Sequence, residues 1–152
     1  MTTRILDQDV HSAPAAETGG GIVQRNTELV RSILLRICDA PLPVPMSYLV
    51  DEGATEQDIA ILNYHLEELH RLGYVIGQPS KTFDGPDWLN LNLSFHGHDF
   101  LEAIRDPEHW RQTKAGAAKV GNWTIKTLAD IALGLVKARV EQFIAGGGLS
   151  SL

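Results

Sequence analysis

The segment Thr55-Glu56-Gln57-Asp58 opens the best-marked helix of the chain, and the pattern that follows it restricts the fold most. Thr55 is placed to accept from the amide three residues on, and Glu56 and Asp58 suit the positive end of a helix dipole. Ile59, Leu62, Leu66 and Leu69 recur at helical spacing, and Gly73 supplies the stop. The period then changes. A short strand, YVIG, leads through the polar loop QPSKTFDGPD into WLNLNL. There Leu89, Leu91 and Leu93 alternate with Trp88, Asn90 and Asn92, which predicts a β-hairpin with its leucines on the buried face.

The flanking segments complete an order. A helix is expected over about 26–39, capped by Asn26 or Thr27, lined by Leu29, Ile33 and Ile37, and ended before Pro41. Three prolines keep PLPVPM extended, and a short helical turn is expected around 47–51. After the hairpin, SFHGHDFLEAIRD returns to helix. Asp106-Pro107 is an N-cap followed by proline at the first helical position, so another helix starts there. A glycine-containing break at 116–121 precedes a last helix over about 123–144. Helix, extended segment, short helix, helix, strand, loop, strand, helix is the order of a winged helix-turn-helix, with 47–52 and 55–72 as its two helices and 74–93 as its wing. The expected fold class is mainly α (α+β), a winged helix-turn-helix with a two-stranded wing and additional C-terminal helices. The expected organisation is a flexible tail over 1–24, a winged-helix domain over 25–106, a helical extension over 107–145 and a flexible tail over 146–152.

The segment HLEELHRLGYV at 65–75, together with Leu93-Ser94, Gly97-His98-Asp99-Phe100-Leu101, Arg105-Asp106 and Trp110, resembles a known family. This is domain-of-unknown-function family 2513, small proteins associated with phages and prophages. The resemblance spans roughly residues 26–140. It implies a winged-helix fold and a mobile-element origin, and it implies no activity and no functional residues.

Charge bears on what such a fold binds. Residues 1–106 hold 7 Lys+Arg against 16 Asp+Glu, a net of −9, while residues 107–152 hold 6 against 3, a net of +3. An acidic body with a mildly basic end is not the usual footprint of a strong nucleic-acid binder. The lone cysteine, Cys38, lies in an apolar helical pattern and has no partner in the chain for a disulfide, which fits a reducing compartment. With no run approaching a membrane span and no signal-peptide pattern, a cytoplasmic protein is expected, and the resemblance implies that the cell is a bacterial host.

Three groups of residues were candidates for function. His98, Asp99 and Glu102 fall on one side of the helix in SFHGHDFLEAIRD, with Gly97, Phe100, Leu101 and Ile104 on the other. Two ligands one turn apart are too few for zinc. No serine sits in a nucleophile elbow, and no glycine-rich loop precedes a helix as a phosphate cradle would. No catalytic residue, metal or cofactor is therefore expected.

The second group is the outer face of helix 55–72 and the wing: Gln57, Ile61, Asn63, Tyr64, Glu68, Arg71 and Lys81. Over that helix four carboxylates outweigh Arg71, a net of −3. Phosphates are repelled by such a face, whereas Ile61 and Tyr64 suit a protein partner. The third group is the apolar side of the last helix: Ile125, Leu128, Ala132, Leu135, Val136, Val140 and Phe143. About 22 residues span roughly 33 Å, longer than a small winged-helix core, so part of this stripe is expected to meet a second copy. The competing arrangement folds it back over the chain's own first helix. The expected function is non-enzymatic regulation by protein–protein interaction, with sequence-specific DNA binding as the alternative and metal-dependent catalysis a distant third.

Overall fold

The computed structural model describes residues 25–147. The tails expected over 1–24 and beyond Gly147 lie outside the described residues. The order is α1 (Thr27–Asp39), a 3₁₀ turn (Met46–Leu49), α2 (Glu56–Arg71), β1 (Val75–Thr82), β2 (Gly85–Leu93), α3 (Phe95–Ile104), α4 (Pro107–Val120) and α5 (Ile125–Ala145). The protein is thus mainly helical with one antiparallel two-stranded hairpin. The described residues divide into two compact units, the first ending at His98 and the second beginning at Asp99, within α3.

Local signals set the helix ends. The Asn26 side chain accepts from the Leu29 amide and caps α1. Thr55 and Asp58 form a reciprocal capping box on α2, satisfying two amides that the helix start leaves unpaired. Asp106 accepts from the amides of Glu108 and His109 ahead of Pro107, and Thr124 caps α5. Gly73, with φ +87°, makes the left-handed turn that ends α2.

In the first unit, Leu29, Val30, Ile33, Leu34 and Ile37 of α1 and Leu62, Leu66 and Leu69 of α2 are buried. Val44, in the proline segment, pairs with Leu91 in both directions, its amide donating to the Leu91 carbonyl at 3.1 Å and its carbonyl accepting at 2.7 Å. The 3₁₀ turn is tied to α1 by Arg36, which donates to the Tyr48 carbonyl at 3.0 Å and lies 3.9 Å from Asp51.

The hairpin departs from the expected alternation in two ways. First, its strands take in most of the expected loop, turning at Phe83-Asp84 with Thr82 opposite Gly85. Pro79 and Pro86 are accommodated because a two-stranded ribbon has two open edges, where no ladder amide is required. Second, the register shifts: Gln78 faces Leu89 but Ile76 faces Asn92, so β2 carries one extra residue. Asn90 takes up that residue with φ +58°, a left-handed conformation that asparagine tolerates, and its amide donates to Gln78 Oε1 at 2.8 Å. The alternation resets at this bulge. Trp88, expected to face outward, is buried, whereas Leu89, expected to face inward, is 47 % exposed; Leu91 and Leu93 are buried as expected.

α3 begins where Ser94 Oγ accepts from the Gly97 amide and donates to the Gly73 carbonyl. Gly97 is buried so close to the turn after α2 that a Cβ would lie 2.0 Å from the Tyr74 carbonyl oxygen. Phe100, Leu101 and Ile104 are buried, and His98, Asp99, Glu102 and Arg105 are exposed, the division expected from the helical period.

In the second unit α4 and α5 pack together, with Gly116 admitting the Ile131 side chain; a Cβ there would sit 2.9 Å from Ile131 Cγ2. No described helix is long and apolar enough to cross a membrane.

Candidate interaction surface

Helix α2 and the hairpin are joined by a tryptophan. Trp88 is 2 % exposed, its indole N–H donates to Asn63 Oδ1 at 2.8 Å, and its ring meets His70 edge-on at 5.1 Å. Burial of a large aromatic with its N–H satisfied fixes the strands against the helix. The bulge at Asn90 is what turns Trp88 inward, so this anchor depends on the register shift.

That bond reassigns one expected contact residue. Asn63 is half-buried, and its carbonyl oxygen holds the hairpin instead of standing ready for a partner. Gln57 and Arg71 are exposed, and Ile61, Tyr64 and Glu68 are half-buried. Arg71 is bound to Glu68, whose carboxyl is held below the usual carboxylate range chiefly by the guanidinium hydrogen bond. Lys81 is exposed on β1.

Behind Tyr64 lies a histidine to which the sequence pattern assigned no role. His65 is fully buried and its ring meets Tyr64 at right angles, 5.2 Å between centroids. Its Nε2 accepts from the backbone N–H of Asn26 at 2.8 Å, and its Nδ1 lies 2.8 Å from the Ile61 carbonyl oxygen. Nε2 must be unprotonated to accept, so the proton sits on Nδ1 and the ring is neutral. Burial, the largest influence, pushes its pKa below the ordinary histidine value, and Arg25 pushes the same way; the Ile61 bond and Glu68 act against them. The position follows from the period, since His65 lies beside Leu62, Leu66 and Leu69 on the inward side of α2. A histidine there gives no sequence signal of which backbone amide it will meet.

Beside this face, α2 and the hairpin border two open recesses that meet at Pro86. One, of about 240 Å³, is lined by Asn63, Glu67, Pro79, Ser80, Lys81, Pro86 and Asp87. The other, of about 340 Å³, is lined by Glu56, Ile59, Ala60, Phe83 and the turn residues Asp84 to Pro86. The concave surface thus lies a strip over from the face the sequence pattern favours: Asn63 and Lys81 line it, and Gln57, Ile61, Tyr64, Glu68 and Arg71 do not. Phe83, at the tip of the hairpin, is fully exposed.

The expected dimerisation stripe on α5 divides. Ile125, Leu128 and Ala132 are buried within the chain itself, which removes them from any contact with a second copy. Leu135 and Val136 are half-buried, and Val140 and Phe143 are more than half exposed. The difference follows from length: α4 has 14 residues and α5 has 21, so its last turns run past the helix it pairs with. On α3, Glu102 pairs with Arg105 at 3.3 Å, beside the exposed His98 and Asp99. Among the described residues no three His, Cys, Asp or Glu side chains cluster as metal ligands.

The family described as "Hypothetical protein (DUF2513)" matches residues 24–122. The chain belongs to this family. Its match takes in α1 through α4 and stops before α5, so the family 2513 region is shorter at its C-terminal end than the resemblance over 26–140 implied. No curated protein and no solved structure shows significant similarity to the chain.

Proposed function

We propose that this family 2513 protein is a non-enzymatic winged-helix regulator of phage or prophage origin, working in the bacterial cytoplasm by binding another protein through α2 and the hairpin. The order α1, Val44 bridge, 3₁₀ turn, α2, hairpin supports the winged-helix reading, with α2 in the place of a recognition helix. Winged helices serve both DNA and protein partners, so the surface has to choose between them.

The observation that carries the choice is the electrostatics of α2. Its net charge is −3, and Arg71, its one Arg or Lys, is committed to Glu68. The Asn63 oxygen, a natural acceptor from a base, is committed to Trp88. A helix so charged loses affinity for phosphates. Sequence-specific DNA binding rests on the element order alone. Of the basic residues that would assist it, Arg111 pairs with Glu108, Lys126 with Asp130, and Lys114 lies over the Trp110 ring, while Lys119 is exposed. Pairing of two copies through the exposed end of α5 completes the reading, with Val136, Val140 and Phe143 as its contacts.

Fluorescence anisotropy with a labelled duplex tests the choice. No binding is expected at about 150 mM salt, the ionic strength at which the Debye length is about 8 Å. Tight binding that weakens steeply as salt rises would transfer the assignment to DNA.

A further inference from the structure

We infer that the cleft between α2 and the hairpin is a docking site for an extended cationic segment of a partner protein. This rests on the protein-interaction reading above and names the chemistry of the partner. Pro79, Pro86, Ile59, Ala60 and Phe83 give the cleft apolar walls across both recesses. Glu56, Glu67, Asp84 and Asp87 stand along it against Lys81, a net of −3. Among the described residues none of those four carboxylates is in an ion pair. Phe83, Glu56 and Asp84 together line the larger recess. An arginine or lysine satisfies all three: its aliphatic stem lies on apolar surface, its head meets carboxylates, and the ring face attracts the cation. The smaller recess repeats the pattern with prolines as walls and Glu67 and Asp87 as the charges.

The sign of this charge sorts the competing occupants. Duplex DNA is repelled. The chain's own segment 1–24 carries Arg4 against Asp7, Asp9 and Glu17, a net of −2, and is repelled as well. Of the basic residues that a second copy would offer on α4 and α5, Arg111 and Lys126 are already paired, and the exposed Lys119 and Lys137 stand on helices and not on an extended segment. A separate cationic segment remains.

The test is selection of peptides from a random 12-residue display library on the full chain, followed by affinity measurement of the enriched peptides. Enriched peptides are expected to carry two or more Lys or Arg around an apolar residue. Their affinity should fall about tenfold or more, the equivalent of about 1.4 kcal/mol, in Phe83→Ser and in the double variant Glu56→Lys, Asp84→Lys. It should stay within about threefold in Ile61→Ser, which lies off the cleft. All substituted residues of the cleft are exposed, and unchanged thermal melting verifies that the variants fold. Enrichment of acidic or neutral peptides, loss of binding in Ile61→Ser but not in Phe83→Ser, or failure to enrich any peptide overturns the docking site. The first two of these leave the protein-interaction reading standing. Binding of the duplex in place of any peptide removes both. Self-association abolished by Phe83→Ser would assign the cleft to a second copy and overturn the cationic segment.

Discussion

Acidification should unlatch the start of α1 through a single side chain. His65 holds the Asn26 amide with an unprotonated Nε2, and protonation converts that acceptor into a donor facing a donor. Burial sets the folded-state pKa below the ordinary value of about 6.5, so the unfolded chain takes up the proton first as pH falls. Stability from this group is therefore complete above about pH 6.5 and is lost as pH falls below it, until the folded-state pKa is passed. One proton limits the slope to about 1.4 kcal/mol per pH unit, so acidification from 6.5 to 5 removes at most about 2 kcal/mol. Urea titrations followed by far-UV circular dichroism at fixed ionic strength read this directly. His65→Leu should be about 1–3 kcal/mol less stable at pH 7.5, because it leaves the Asn26 amide without an acceptor, and its slope over pH 5 to 6.5 should be shallower by one proton. Glu68 and Glu108 do not confuse the reading. Both are held below the usual carboxylate range by arginine, Glu108 at about 2, so each contributes stability lost only as pH falls below the ordinary carboxylate value. Equal slopes in wild type and His65→Leu would refute the assignment.

Other substitutions separate the remaining contacts. Gly97→Ala should cost about 1–3 kcal/mol in urea, because its Cβ meets the Tyr74 carbonyl, a backbone group that moves only with the α2–β1 turn. Asn63→Leu should cost a similar 1–3 kcal/mol and shift the Trp88 fluorescence, since the indole N–H loses its acceptor; an unchanged emission spectrum would show that the bond does not fix the hairpin. On α5, Leu128→Ala should lower stability by about 2–5 kcal/mol, whereas Phe143→Ser should leave stability within about 0.5 kcal/mol and abolish dimer in sedimentation velocity. A wild-type chain that sediments as a monomer at tens of micromolar would remove the dimer from the proposal.

Much of the fold was legible because its signals are local. The Thr55-Asp58 capping box, the Asp106-Pro107 start, the Gly73 stop and the inward side of α3 each depend on residues a few positions apart. What escaped depends on pairing across the chain. The alternation in WLNLNL is real on paper, but one extra residue in β2 resets it, and no residue in β2 alone announces which partner will be skipped. The hairpin turn carries an Asp84-Gly85 signal, but the two-residue loop sits one position earlier, at Phe83-Asp84, and Gly85 already pairs with Thr82. On α2 the helical period separated inside from outside correctly at Leu62, Leu66 and Leu69. It did not show that the concave strip would lie along Ile59, Ala60 and Glu67, since that depends on where the hairpin leans. The stripe on α5 was seen whole, but a stripe does not state how far the neighbouring helix reaches.

The bulge at Asn90 makes the length of β2 a constraint of its own. Deleting Asn90 would restore unbroken pairing and keep every leucine, and plain alternation would still place Trp88, Leu91 and Leu93 inward with Leu89 outward; the bulge is what lets inward residues stand an odd number of positions apart. Straightening the strand at its present length would instead carry Leu89 inward and Trp88 to solvent, away from Asn63. Related sequences with an odd spacing between the residues at Trp88 and Leu91 should thus keep the bulge, and a copy one residue shorter should keep the tryptophan inward without it.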